Sequence, residues 1–182
     1  MDYDLTLDLG KGCDYRHKCF RLYECDGVVK RNRAKKVIFA SSSSLYNGLP
    51  IPFKESQIIS PKTFYEASFY CREVLAKSYY LENGLNSVGL RYFSVYGFYE
   101  KHKGIFANNI SQFLWSMTNG HSPVIYGDGT QTRDFTFVDD VVQANILALQ
   151  SEEIEFGIYN VGTGIETSFS RIVHMTTNNL EL

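Results

Sequence analysis

The chain has 182 residues, of which 44% are hydrophobic and 15% are aromatic. This composition suits one globular domain with a substantial core and excludes a disordered chain. The formal net charge of −2 gives no general attraction to nucleic acid or membranes, and no apolar run reaches the 18 or more residues of a membrane span. We therefore expect neither partner, and because the acidic start differs from a signal peptide, we expect a cytoplasmic protein.

Residues 1–34 read as an atypical leader. Leu5, Leu7 and Leu9 alternate with polar residues, as in a half-buried strand, and the Gly10–Gly12 turn follows. This turn matches neither the dinucleotide fingerprint nor the P-loop, because the further glycine and the Gly-Lys-Ser/Thr sequence are missing. The leader also holds a histidine among three cysteines that lack the C-x2-C spacing of zinc sites, so we expect free thiols and no metal: Cys13, His17, Cys19 and Cys25.

The pattern becomes clear at Val37–Ala40, a continuous apolar run that is typical of a strand buried on both faces of a parallel sheet. The four serines Ser41–Ser44 follow at its carboxyl end, which is where open α/β sheets bind ligands. Two interpretations are open for these hydroxyls. In the first, one of the serine hydroxyls contacts a substrate. In the second, the hydroxyls bond the backbone of their own loop.

A helix is predicted from about residue 63 to residue 81. Thr63 and Glu66 have the spacing of a capping box, which places Tyr65 in the first turn, close to the positive end of the helix dipole. An alternative start caps the helix at Ser60. The expected inward stripe of this helix consists of Phe64, Cys71, Val74, Leu75 and Tyr79.

Position 69 lies one turn after Tyr65 on the same helix face. A lysine at this position could stabilise a tyrosinate, but the residue is Phe69. Lys62 precedes the tyrosine by three residues and is expected to lie outside the helix. The helix is predicted to stop at Asn83 and Gly84.

The remaining elements continue an α/β pattern. Ser87–Phe93 is a second buried strand and closes a β-helix-β unit of the length that a right-handed crossover needs. An amphipathic helix from Phe106 ends near Asn119, and two short strands, Val124–Tyr126 and Asp134–Phe137, surround a tight loop. A helix with Val138, Val142, Ile146 and Leu149 inward, a strand at Ile158–Val161 and a last helix capped by Ser168 complete the chain.

Several motifs in this order resemble the extended short-chain dehydrogenase/reductase family, in its NAD-dependent nucleotide-sugar epimerase/dehydratase branch. The resemblance covers about residues 35–167 and is greatest to UDP-glucose 4-epimerase-like proteins. It is carried by four runs: Val37–Tyr46, Leu90–Gly97, Gly127–Phe135 and Tyr159–Gly164. It implies a partial Rossmann-like fold, a doubly wound parallel sheet with a small C-terminal substrate-binding portion.

The resemblance also implies roles for individual residues. The catalytic Ser/Thr of the family falls on Ser42 and its catalytic Tyr on Tyr65, which also contacts the cofactor. In the family this tyrosine removes the proton of the sugar 4-hydroxyl as hydride passes to NAD, and the sugar is then reduced from its other face. Asn109 and Arg133 match positions that hold the nucleotide diphosphate, a group that suits the fork of a guanidinium. The implied partner is a UDP-sugar.

The chain departs from the family pattern in three places. The YxxxK motif ends in Phe69 instead of lysine, Ser94 stands where many 4-epimerases have Asn, and the glycine-rich cofactor fingerprint does not precede Val37. We therefore expect residues 35–182 to be the latter part of an epimerase domain without its glycine-rich half. Both an impaired NAD-dependent epimerase and an inactive remnant or binding module fit these departures.

Two further expectations follow from the resemblance. A 4,6-dehydratase is the alternative chemistry, but Ser43 and Ser44 stand where that branch has Asp-Glu. The strand at Val37–Ala40 would lack its usual neighbour, so its open edge predicts self-association or a homo-oligomer.

Overall fold

The computed structural model describes residues 34–180, and the leader's predicted strand, turn and cysteine cluster lie outside the described residues. Within this part, helices and strands follow one another in an α/β pattern. The elements are β1 (Lys36–Ser42), a 3₁₀ turn (Ser43–Tyr46), α1 (Phe64–Asn83), β2 (Asn86–Tyr92), β3 (Ser94–Tyr96), a 3₁₀ segment (Glu100–Phe106), α2 (Asn109–Thr118), β4 (Thr132–Phe137), α3 (Val138–Gln150), β5 (Phe156–Val161), β6 (Glu166–Ser168) and α4 (Phe169–Leu180).

The main sheet is parallel throughout, in the order β1-β2-β5. Helices α1 and α3 pack against it, and the core between α3 and the sheet contains Val88, Leu90, Val141 and Ala148. Gly89 allows the close packing beside β2, because a Cβ there would lie 2.5 Å from the Phe39 ring. This architecture confirms the predicted α/β class and the partial Rossmann-like sheet.

Helix α1 begins where the capping box predicts. The Thr63 hydroxyl accepts the Glu66 N–H at 3.1 Å, and the Glu66 carboxylate accepts the Thr63 N–H at 3.3 Å. The alternative start at Ser60 is therefore wrong, and Lys62 lies outside the helix as expected. Gly84 ends the helix in the left-handed region at φ 67°, where its N–H bonds the Tyr80 carbonyl.

The predicted inward stripe of α1 is wrong at two of its five positions. Phe64 is 84% exposed and Val74 is 47% exposed, whereas Glu66, Phe69 and Glu73 are buried. The other three predicted positions, Cys71, Leu75 and Tyr79, are only partly buried. The reason is that two carboxylates of α1 have hydrogen-bonding partners inside the fold, so the buried face is not the most apolar one.

The predicted inward face of α3 is displaced by one residue. Val141 and Ala148 are buried, while Val142 and Ile146 are exposed. Because α3 has hydrophobic residues on both faces, their spacing alone does not show which face is buried.

A second, smaller sheet holds β3, β4 and β6, with β3 parallel and β6 antiparallel to β4. Helices α2 and α4 pack together beside it around Phe113, Phe169 and Ile172. The predicted strand at Val124–Tyr126 does not form. Its side chains are largely exposed, and the Gln131 side chain, rather than a neighbouring strand, bonds the Tyr126 carbonyl.

Caps explain where α2 and α4 begin. Asn108 caps α2, because its side-chain oxygen accepts the Ile110 N–H at 3.1 Å, so this helix starts three residues later than predicted. Ser168 caps α4 as predicted, through a 3.2 Å bond from the Arg171 N–H.

Across residues 34–180, no helix is both long and apolar enough to cross a membrane. The same residues contain no cluster of three or more His, Cys, Asp or Glu side chains that could hold a metal ion.

Candidate functional site

Ser42 ends β1 at the carboxyl edge of the main sheet. Its backbone is extended, and its hydroxyl oxygen accepts the Ser44 N–H at 3.2 Å and lies 2.8 Å from the Ser44 hydroxyl. The serine loop therefore satisfies part of its own backbone, as one of the two interpretations predicted. The half-buried Ser42 hydroxyl retains hydrogen-bonding capacity. Its contact with a substrate stays a prediction.

Tyr65 lies in the first turn of α1, as predicted, and is 39% exposed. Its ring meets the Phe69 ring edge to face, with centroids 4.8 Å apart. Phe69 is 8% exposed and packs in an apolar cluster with Leu45, Tyr46 and Ile59. The place that a lysine would take is thus filled by a phenyl ring, which carries no charge to hold a tyrosinate.

Three hydrogen bonds tie α1 to the segment that carries Ser42. The Arg72 guanidinium donates to the Ala40 carbonyl at 3.0 Å, the Ser41 hydroxyl donates to Glu73 at 2.5 Å, and the Asn47 amide donates to Glu66 at 3.2 Å. Since Ser42 and Tyr65 lie within this bonded region, the structure brings their two segments together.

Behind these segments lies a buried polar network that the sequence reasoning missed. Arg91 forms two bonds to the Glu73 carboxylate, at 2.7 and 2.8 Å, and donates to the Tyr46 hydroxyl at 2.7 Å. That hydroxyl in turn donates to the Asn160 side chain at 2.7 Å. Ser41, Arg91 and Asn160 are register partners across the three strands, so one row at the carboxyl end of the sheet holds the network.

Burial and hydrogen bonding act in opposite directions on this network. Burial raises the pKa of Tyr46, against the lowering effect of its bond with Arg91. Burial alone would lower the pKa of Arg91, but its bonds to Glu73 and Tyr46 raise that pKa above its ordinary value. Tyr46 is therefore neutral and Arg91 is charged at neutral pH. The sequence did contain a signal for this network. Arg91 stands within a predicted buried strand, and Glu73 stands among the apolar residues of the neighbouring helix.

Glu66 is the other buried carboxylate of α1. Its pKa lies below the ordinary value, chiefly because its carboxylate accepts the Lys62 N–H at 2.6 Å, with further bonds from Asn47 and Thr63. Glu66 is therefore ionised at neutral pH and holds the start of the helix that carries Tyr65.

Asn109 is the first residue of α2, where free N–H groups meet the positive end of the helix dipole. Its neighbour Asn108 is committed to structure, because its amide donates to the Ser94 hydroxyl and to the Val95 carbonyl, both at 2.9 Å. Asn109 is only partly buried, and its contact with a nucleotide diphosphate stays a prediction.

Arg133 lies exposed on β4. One of its N–H groups donates to the Thr132 carbonyl at 2.7 Å, and its guanidinium carbon lies 5.9 Å from the centroid of the Phe169 ring. Within residues 34–180 its remaining donors have no hydrogen-bond partner, so a planar fork of donors is presented to solvent.

The predicted residues thus occupy two structural units. Ser42 and Tyr65 belong to the main sheet and α1, and Asn109 and Arg133 belong to the second sheet and its helices. The two units join where β2 passes into β3, next to the bond from the Phe93 N–H to the Val161 carbonyl.

Comparison with known proteins identifies the class of protein. Residues 26–162 match the model of the NAD dependent epimerase/dehydratase family. The chain belongs to this family, whose cofactor is NAD, as the sequence motifs implied.

Individual relatives agree with this class. The chain is 41% identical over 147 residues to a Methanocaldococcus jannaschii protein named "Putative UDP-glucose 4-epimerase", covering 80% of this chain and 47% of that protein. The UDP-N-acetylglucosamine 4-epimerase of Methanobrevibacter ruminantium, solved with UDP-N-acetylmuramic acid, superposes with a TM-score of 0.82 at 37% identity over 90% of this chain and 52% of that one.

A third relative was solved with cofactor and substrate together. It is the UDP-glucuronic acid 4-epimerase of Bacillus cereus in complex with UDP-glucuronic acid and NAD, with a TM-score of 0.81 and 25% identity over 94% of this chain and 55% of that one. The chain spans about half the length of the relatives it matches.

The described residues do not form a site that fits NAD. Phe69 fills an apolar cluster at the position of the family lysine. A lysine there would hold the nicotinamide ribose in the family, and a phenyl ring has no donor for it.

Proposed function

We propose that this chain carries the nucleotide-sugar half of an epimerase site and binds a UDP-sugar, with its own epimerisation chemistry impaired. The observation that carries this proposal is the exposed Arg133 fork on β4, whose remaining donors face solvent, and Asn109 lies at the amino end of α2 in the same structural unit. Guanidinium groups and helix N-termini both favour a diphosphate. The three relatives that bind or act on UDP-sugars, by their names, support the same ligand class.

Impairment rests on Phe69. Tyrosine ionises near pH 10, and each unit of depression takes about 1.4 kcal/mol of favourable interaction with its anion. The Phe69 ring gives no such interaction, whereas the family has a lysine at this position. A second candidate, an active NAD-dependent epimerase, is favoured by the retention of both Ser42 and Tyr65.

Calorimetric titration with UDP-glucose tests the binding proposal. We expect wild-type protein to bind and Arg133→Ala to lose at least about tenfold in affinity, because charged hydrogen bonds to the diphosphate are removed. The matched control is Arg171→Ala, which removes an exposed arginine of α4 and should bind as wild type does. Equal binding by wild type and Arg133→Ala would show that the diphosphate site is elsewhere.

Absorbance and mass spectrometry of the purified protein separate the two candidates. We expect no retained NAD and no interconversion of UDP-glucose and UDP-galactose. Stoichiometric NAD together with turnover would establish the active epimerase instead. A 4,6-dehydratase would produce a 4-keto-6-deoxy sugar, which the same mass analysis detects. The cytoplasmic location stays a prediction that cell fractionation can check.

A further inference from the structure

The segment that carries Arg133 is held to a neighbouring segment by many hydrogen bonds. Residues 163–170 run antiparallel to residues 129–134 and are bonded to them along their whole length. The Ser170 N–H bonds the Gly129 carbonyl at 3.0 Å, and the Phe169 N–H bonds the Gln131 carbonyl at 3.1 Å. The Thr132 hydroxyl bonds the Glu166 carboxylate at 2.5 Å.

Asp134 holds one end of the paired segments, residues 129–134 and 163–170, together. One oxygen of its carboxylate accepts the Thr163 N–H at 2.9 Å and the Thr163 hydroxyl at 2.7 Å, and the other accepts the Gly164 N–H at 2.8 Å. Gly162 makes room for this contact, because a Cβ there would lie 2.6 Å from the carboxylate. The chain after β5 is thereby held at a fixed distance from β4.

This anchoring determines what lies beside Arg133. Only four residues separate Gly164 from Phe169, the aromatic ring next to the guanidinium, and Arg133 pairs with Thr167 in the register of β4 and β6. Successive side chains of a strand point to opposite faces, so Asp134 acts on one face while Arg133 is presented on the other. Phe169 is itself fixed by Phe113 and Phe135.

We propose that Asp134 is a positioning residue for Arg133, holding β6 and the start of α4 so that the Phe169 ring supports the guanidinium in the orientation that binds a diphosphate. The proposal rests on the proposed function, because it assigns the cause of the Arg133 geometry at the same site. A guanidinium held in advance loses less conformational entropy on binding, and this is why its support affects affinity.

The test uses UDP as the probe and a double-mutant cycle. Asp134→Asn keeps the size of the side chain but cannot accept at both oxygens, so the Gly164 N–H loses its acceptor. We expect calorimetry to give UDP binding about tenfold weaker than wild type. In the double variant Arg133→Ala/Asp134→Asn, we expect binding no weaker than in Arg133→Ala alone, because the effect of Asp134 passes through Arg133.

Asp140→Asn is the matched control, since it removes the same charge from an exposed position of α3. It should bind UDP as wild type does. If Asp134→Asn does not fold, as judged by circular dichroism, Thr163→Val replaces it in the cycle. This variant loses the hydroxyl's bond to Asp134 and the bond that the hydroxyl accepts from the Ile165 N–H, but it keeps the backbone bonds of Thr163 and Gly164 to Asp134. We expect a loss of about threefold that again disappears in the Arg133→Ala background.

The outcomes distinguish this proposal from the function on which it rests. Two outcomes would overturn the positioning role and leave the binding function intact. The first is that the losses in UDP affinity of Arg133→Ala and Asp134→Asn are additive. The second is that Asp134→Asn binds UDP as wild type does while Arg133→Ala binds it weakly. Wild-type protein that does not bind UDP would overturn the proposed function, and the positioning role with it.

Discussion

At the scale of single residues, position 69 is where this chain departs from the YxxxK pattern of its family. The phenyl ring touches Tyr65 edge to face, lies 4.6 Å below the Arg72 guanidinium and fills the cluster around Leu45. Compared with the lysine of the family motif, Phe69 carries no charge and completes a small apolar core. Replacing Phe69 with lysine would therefore change the packing as well as the charge.

Phe69→Lys should destabilise the fold by about 3 kcal/mol or more, because an ammonium enters a buried apolar cluster and the ring contacts are lost. Urea unfolding at pH 7 measures this. Phe64→Lys, at an 84% exposed position of the same helix, is the matched control and should stay within about 0.5 kcal/mol of wild type. A Phe69→Lys protein as stable as wild type would show that the site still accommodates the family lysine.

At the scale of elements, α1 is organised by its carboxylates. Glu66 closes the capping box and bonds the loop after β1, and Glu73 anchors the middle of the helix to β1 and β2. Neither role follows from helical periodicity, which treats a glutamate as a solvent-facing residue. The role of Glu66 can be tested by varying the pH, and the role of Glu73 by replacing its partner Arg91.

Glu66 should make stability depend on pH in the acid range. Its pKa is lowered in the folded state, so its contribution is fully present above the ordinary glutamate pKa and is lost as pH falls through the folded value. Glu66→Gln should cost about 1 kcal/mol at pH 7, the scale of a cap, and progressively less as pH falls below the ordinary glutamate pKa. Urea unfolding at several pH values measures the difference between the two proteins. A difference that does not change with pH would contradict this assignment, and exposed Glu82→Gln serves as the control.

The buried pair of Glu73 and Arg91 should show strong coupling. Glu73→Met leaves a buried guanidinium without its carboxylate and should cost about 3–5 kcal/mol in urea unfolding. The double variant Glu73→Met/Arg91→Met should be more stable than Glu73→Met alone, because two apolar side chains replace two buried charges. Additive losses would show that packing, and not charge pairing, determines the effect.

At the scale of the whole molecule, the two edges of the main sheet differ. On the outer edge of β5, the Glu55 carboxylate accepts the Asn160 N–H at 2.8 Å, and the Asn160 amide donates to the Phe53 carbonyl at 3.3 Å. β1 pairs only with β2 within the residues described. An open strand edge is a template for pairing with another chain.

We therefore expect the 182-residue chain to self-associate when it is expressed alone. Size-exclusion chromatography with light scattering should show species larger than the monomer that increase with protein concentration. A monodisperse monomer that unfolds cooperatively above about 60 °C, the upper range of ordinary domains, would show that this edge is covered.

The sequence by itself determined the α/β class, the capping box at Thr63 as one of two possible starts of α1, and the family, because these depend on local capping chemistry and on motifs within short runs. It did not determine the buried face of α1, the absence of a strand at Val124–Tyr126 or the roles of Asp134 and Arg91. Only the tertiary structure decided these features. The physical reason is that a buried carboxylate is stable only beside donors from distant segments, such as Arg91 for Glu73 and the Thr163 and Gly164 amides for Asp134.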